Sequence, residues 1–115
     1  MKDQAPIKRQ PALVSFSKDH HFGLLLVWKI RQGLNMAVSP DRIVNYVLYF
    51  FKEDLDNHFK AEEALLFSSL PAEDVLRIQA EADHQEINSL IAKLSVQKQD
   101  ASLLQEFADA LEKHI

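Results

Sequence analysis

The stretch SPDRIVNYVLYFFKEDLDNHFKAEEALLF, residues 39–67, decides the fold. Ser39-Pro40-Asp41 reads as an N-cap, a proline in the first helical turn where its missing N–H costs nothing, and an acidic residue at the positive helix end. From there residues recur at steps of three and four: Val44, Val47, Phe51, Leu55, His58, Glu62 and Leu65. That spacing is the inward stripe of a bundle helix. The run VLYFF, residues 47–51, alone has strand propensity, and it falls inside the helical period. The stripe also carries two polar side chains, His58 and Glu62, one turn apart at core positions.

Outward from this helix, the punctuation marks three more. Ser17 opens an apolar-rich stretch that runs to Gly33, a natural helix stop. Ser68-Ser69-Leu70-Pro71 breaks the second helix, and a third starts at Ala72-Glu73-Asp74 and runs to about Val96. Gln97 to Asp100 forms a turn, with Asp100 the N-cap of a last helix from Ala101 onward. Pro6 and Pro11 mark residues 1–12 as an extended arm ahead of a domain over residues 13–115. The expected fold class is all-α, an antiparallel up-down-up-down four-helix bundle with a short fourth helix.

Each remaining helix places a histidine on its apolar stripe. On the third the stripe is Leu76, Ala80, His84, Ile87, Ile91 and Leu94; on the fourth it is Leu104, Phe107, Leu111 and His114. On the first the best stripe is Phe16, His20, Leu24, Val27, Ile30 or Arg31, and Leu34. His21 shares a face with Leu25 and Trp28, so the spacing leaves the choice between His20 and His21 open. In an antiparallel bundle the start of the first helix lies beside the end of the second and the start of the third. His20, His58 with Glu62, and His84 then converge at one level, to which His114 returns. Buried polar groups are costly unless satisfied. Imidazole suits Fe, Zn, Cu and Ni, and a carboxylate can bridge two cations, so the cluster reads as a metal site.

Composition narrows the alternatives. The chain has 115 residues and a formal charge of -4, with 13 Lys+Arg against 17 Asp+Glu, a balance that argues against a duplex-binding surface. It contains no cysteine, which removes disulfides, thiolate metal sites, Fe–S clusters and cysteine nucleophiles. No serine elbow between glycines and no glycine-rich phosphate loop is present. The charged start has no secretory apolar core, and no apolar run, Leu24 to Trp28 included, approaches a membrane span, so a soluble cytoplasmic protein is expected.

The same residues resemble the hemerythrin-like HHE cation-binding domain, named for a repeated His … His-x-x-x-Glu arrangement. Asp19-His20-His21 and HFKAE, His58 to Glu62, form the first unit. The second begins at His84 in EADHQEI and reaches His114 in LEKHI. The phrase KDHHFGLLLVWKIRQGL and the acidic end HFKAEEALLF look like small bacterial members, and the likeness runs from Leu13 to Ile115. It implies two non-haem iron ions, with His20, His58, His84 and His114 as terminal ligands and Glu62 as a bridge. It also implies binding or sensing of oxygen, nitric oxide or iron, or the handling of peroxide.

Two departures accompany the likeness. Hemerythrins of the full pattern carry a second histidine one turn along the third helix; here Asn88 and Ala80 hold those positions, and water or Glu81 would complete that iron. The second unit's carboxylate would stand four residues after His114, beyond Ile115. A fourth helix of about 15 residues spans roughly 22 Å against about 42 Å for the second. The far end, where Phe16, Leu65, Leu66, Phe67 and Leu76 gather, is therefore expected to be exposed and to favour a homodimer. The alternatives to a ligand-binding di-iron protein are a metal-poor interaction module and a peroxide- or Fe(II)-oxidising enzyme using the same site.

Overall fold

The computed structural model describes residues 11–115, with side chains from His20 onward. Those residues form helices and short connections, with no strand among them. Helix α1 spans Pro11–Asn35. Helix α2 runs through Pro40–Phe50, a π-helical turn at Phe51–Leu55, and Asp56–Ser69. Helix α3 spans Val75–Val96, and α4 spans Ala101–His114. Each helix packs on its neighbours around a bundle: α4 lies against α1 and α3, and α2 lies against the same two from the other side. The long axis measures 46 Å. No described helix is long and apolar enough to cross a membrane.

The core is the set of stripes that turn inward. Val44, Val47, Leu55, Ile87, Leu94, Leu104, Phe107 and Leu111 are buried, as the spacing predicts. On α1 the face is rotated from the expected one: Leu24 is 45% exposed, whereas Leu26 is buried beside Val27 and Ile30. The run Leu24-Leu25-Leu26-Val27 is apolar on every side, so periodicity alone does not choose its face. Arg31 is half-buried at the core's edge and pairs with Asp109 at 2.8 Å and Glu112 at 3.0 Å on α4. Both acids are well exposed, and such pairs contribute only about 0–1 kcal/mol.

The helix ends differ from expectation in three places. Helix α1 begins at Pro11, ahead of Ser17, and residues 1–10 of the expected arm lie outside the described residues. It also continues past Gly33, which sits inside the helix where an added Cβ would approach Ile43 Cδ1 at 3.0 Å. Its close approach to α2 explains that glycine; the stop is made by Ala37, whose φ of 59° is left-handed. Val38 N–H donates to Gly33 O at 2.9 Å and Ala37 N–H to Leu34 O at 3.2 Å, the paired bonds of a Schellman motif. Alanine is strained there, so Ala37→Gly is expected to raise stability by about 0.5–1 kcal/mol, read as a higher melting temperature. Helix α3 starts at Val75 rather than Ala72, because Asp74 Oδ1 accepts from Leu76 N–H at 2.9 Å and caps it. Asp100 caps α4 as expected, accepting from Leu103 N–H at 3.1 Å.

The π-turn answers a question of register. Val47 and Leu55 are both buried and stand eight residues apart. At unbroken α pitch that spacing would leave Leu55 about 80° from the face of Val47. The wider turn takes up the difference, so that His58, Phe59 and Glu62 follow on the inward side. At the far end Phe67 and Leu76 are exposed, Leu65 and Leu66 are half-buried, and the side chain of Phe16 lies outside the described set. Leu76 was expected on the inward stripe, but it lies in the first turn of α3 and is exposed.

Candidate metal centre

Four helices deliver five side chains to one level of the bundle. His20 comes from α1, His58 and Glu62 from the second half of α2, His84 from α3 and His114 from the last turn of α4. They group as two trios, His20–His58–Glu62 and Glu62–His84–His114, each offering ligand atoms within 4.8 Å of one another. Glu62 belongs to both. The i, i+4 relation of His58 and Glu62 places them side by side on one helix face, which lets one carboxylate serve two groups.

The second trio is the more closely drawn. His84 Nε2 lies 2.9 Å from Glu62 Oε1, His114 Nε2 lies 3.2 Å from the same oxygen, and the two Nε2 atoms are 3.1 Å apart. Neighbouring ligands at right angles about an ion with bonds near 2.1 Å are separated by about 3.0 Å. The triangle therefore has the edges of a coordination site. Phe59 walls it: its ring stacks on His84 with centroids 4.3 Å apart and meets the His114 ring edge-on at 5.4 Å. In the first trio the His20 and His58 rings stand edge to face at 5.3 Å.

Two carboxylates that the stripes did not single out complete the arrangement. His84 Nδ1 lies 2.7 Å from Glu63 Oε2, and His114 Nδ1 lies 3.2 Å from Asp83 Oδ2. Each imidazole turns Nδ1 to an outer carboxylate and Nε2 to the triangle, the orientation that metal-bound histidines require. Glu63 is half-buried because it follows Glu62 into the α2–α3 interface. Asp83 is buried and also accepts from Gln79 Nε2 at 2.8 Å. A signal for both existed in the sequence. Each is adjacent to a stripe residue, and a ligating histidine needs an acceptor for its second nitrogen.

The remaining candidates stand apart. His21 is exposed with its ring against Phe22, Glu81 pairs with Arg77 Nε at 3.8 Å, and Asn88 is exposed. None of the three joins either trio.

With two imidazole nitrogens and a carboxylate oxygen converging, the triangle calls for a positive charge. A proton answers that demand when no metal does. Burial alone would raise Glu62 and lower His114, but their mutual hydrogen bond, with those from His84 and Asp83, reverses both. Glu62 is held well below its ordinary value of 4.5, and His114 is raised above 6.5. The sign follows for the metal-free chain. Stability from Glu62 is present above pH 4.5 and lost as pH falls; stability from His114 is present below pH 6.5 and lost as pH rises through its raised value. Metal competes with the same proton and binds more tightly as pH rises. Melting curves with chelator should thus fall off as pH rises above 6.5, while the rise in melting temperature on adding metal should grow with pH. A metal increment that shrinks with pH would contradict this.

Asp83→Asn tests the outer carboxylates. Removing the charge that orients His114 is expected to weaken metal binding by about 10–100-fold with the fold intact, measured by competition against a chromophoric chelator.

Comparison with curated proteins and with solved structures gives no significant match. The profile of the hemerythrin HHE cation-binding domain matches residues 18–115, a span that takes in every member of both trios. The chain therefore belongs to the hemerythrin HHE cation-binding domain family.

Proposed function

We propose that this chain is a non-haem di-iron protein that binds or senses a small ligand such as oxygen, nitric oxide or iron itself. The observation that carries this reading is the sharing of Glu62 by two histidine-bearing trios. His20 and His58 would hold one ion, His84 and His114 the other, and Glu62 would bridge them. Bound iron supplies open coordination positions and accessible redox states, which is the chemistry that diatomic ligands need. The chain's own residues do the rest. Glu63 and Asp83 fix the tautomers of His84 and His114, Phe59 keeps water from their flank, and Glu62 neutralises positive charge between the two poles.

The test is iron loading followed by elemental analysis and thermal melting. About two irons per chain are expected, with a melting temperature that rises with free iron, since binding to the native state alone stabilises by mass action. One iron or none per intact chain, or a melting temperature indifferent to iron and chelator, would instead support the metal-poor interaction module. An opening of about 290 Å³ lined by Glu62, Gln79, Asp83 and His114 gives reactants access to the second pole and favours, as a second reading, an enzyme that oxidises Fe(II) or consumes peroxide. Turnover that vanishes in His58→Ala, at rates above those of free iron, would establish it. Exposure of Phe67 and Leu76 supports self-association through that end of the bundle, which sedimentation velocity reads as a concentration-dependent mass.

A further inference from the structure

Between α1 and α2 lies an open cleft of about 380 Å³ that touches the metal site only at His58. A diatomic molecule needs no more room than a water, about 30 Å³, whereas fitted small-molecule sites begin at about 300 Å³. The walls are apolar: Phe22, Leu25 and Leu26 from α1 face Phe50 and Leu55 from α2. Its two ends differ in charge. At one end Lys29 Nζ donates to Tyr46 Oη at 3.1 Å, over whose ring it sits at 5.3 Å from the centroid. Among the described residues Lys29 makes no ion pair. The ammonium has three donors and spends one on Tyr46, whose hydroxyl still has its own proton to give. Together they present convergent N–H and O–H donors to an acceptor that no other described residue supplies. At the other end the lining carboxylate is Asp54, one turn before the buried ring of His58.

We infer that this cleft binds a small amphipathic carboxylate, with its head on Lys29 and Tyr46 and its apolar tail lying along the Phe22–Leu55 walls toward His58. The charge polarity sets the direction, because Asp54 repels an anionic group from the His58 end and Lys29 attracts it to the other. Apolar walls with few placed polar groups are the usual construction of such a site. The span suits a medium-chain acid: Tyr46 and Leu55 are nine residues apart on α2, roughly 14 Å along the helix. The π-turn contributes Leu55 and Asp54 to this same wall, so the turn that brings His58 inward also shapes the cleft's floor.

The inference does not depend on the di-iron reading, and its test separates the two. Decanoate, kept below its micellar concentration, is titrated by calorimetry into the full chain, once loaded with iron and once treated with chelator; 1-decanol is the neutral control. Saturable binding of one decanoate per chain is expected in both forms. Lys29→Gln, an exposed position that leaves the core untouched, should weaken decanoate by at least tenfold and leave decanol unchanged. Leu25→Trp, which fills the cleft from a partly exposed position, should remove both. Absence of saturable decanoate binding to the wild-type chain overturns the proposal. So does binding that is equal for decanol, or insensitive to Lys29→Gln. Each of those results leaves the iron stoichiometry, and the reading drawn from it, where it stood.

Discussion

Glu62→Gln is expected to strip the chain of metal at both poles, the largest functional effect of any single substitution. Glu62 is the one residue common to the two trios, and its Oε1 is the atom on which His84 Nε2 and His114 Nε2 both converge. Glutamine keeps the size and one oxygen but removes the negative charge and adds a donor. Outer carboxylates around a metal site contribute about 10–100-fold to affinity, so loss of the shared inner one should exceed 100-fold at each pole. The metal-free fold should change far less. The new amide N–H can donate to the imidazole lone pairs that Glu62 faces, replacing charge-assisted bonds with neutral ones at a cost of about 1–2 kcal/mol. Elemental analysis after gel filtration should show less than a tenth of the wild-type iron, with Glu81→Gln, at the Arg77 ion pair, as the unaffected control. Retention of one ion at wild-type affinity would mean that the two poles do not share this carboxylate.

Phe107→Ala should give the largest loss of stability. Phe107 is fully buried on α4, the helix that lies against both α1 and α3, and it stands two turns before His114 on the same face. Truncating a buried phenylalanine costs about 3–5 kcal/mol, of a total that for a domain of this size is about 5–15 kcal/mol. A large share of the stability therefore goes with one ring. Because α4 delivers His114, metal should restore much of it: free metal at a thousand times its dissociation constant stabilises by about 4 kcal/mol. Urea denaturation with and without metal measures both quantities. A loss below about 1 kcal/mol would show that the core collapses around the cavity, and a variant that metal fails to stabilise would show that the damage to α4 reaches the site.

The site's inner residues were legible in the sequence because burying a histidine is expensive. His58, His84 and His114 each continue an apolar stripe at helical spacing, and the structure brings them together with Glu62 and His20. Their supporting carboxylates were not legible by periodicity, since Glu63 and Asp83 stand one position off the stripe. They emerge only when each imidazole's second nitrogen is asked for its acceptor. Helix α4 could be read throughout, with Leu104, Phe107 and Leu111 buried as spaced. Helix α1 could not, because four consecutive apolar residues satisfy any face and only the neighbouring helices select Leu26 over Leu24. Ala37 was invisible for a different reason: a left-handed cap is ordinarily marked by glycine, and here the mark, Gly33, serves a helix contact instead.

The wide turn at Phe51–Leu55 has one more consequence, which concerns chain length. Elsewhere in α2, removing one residue would swing everything after it by about 100° around the helix axis and carry His58 and Glu62 off the inward face. Within the wide turn it would not. The turn already holds one residue more than α pitch requires, so taking out Lys52, which is exposed, returns the backbone to regular pitch with both flanks still facing the core. The helix therefore carries its slack at a single place, between the part that builds the core and the part that builds the metal site. At that place the spacing between the two can be shortened by a residue without either losing its orientation.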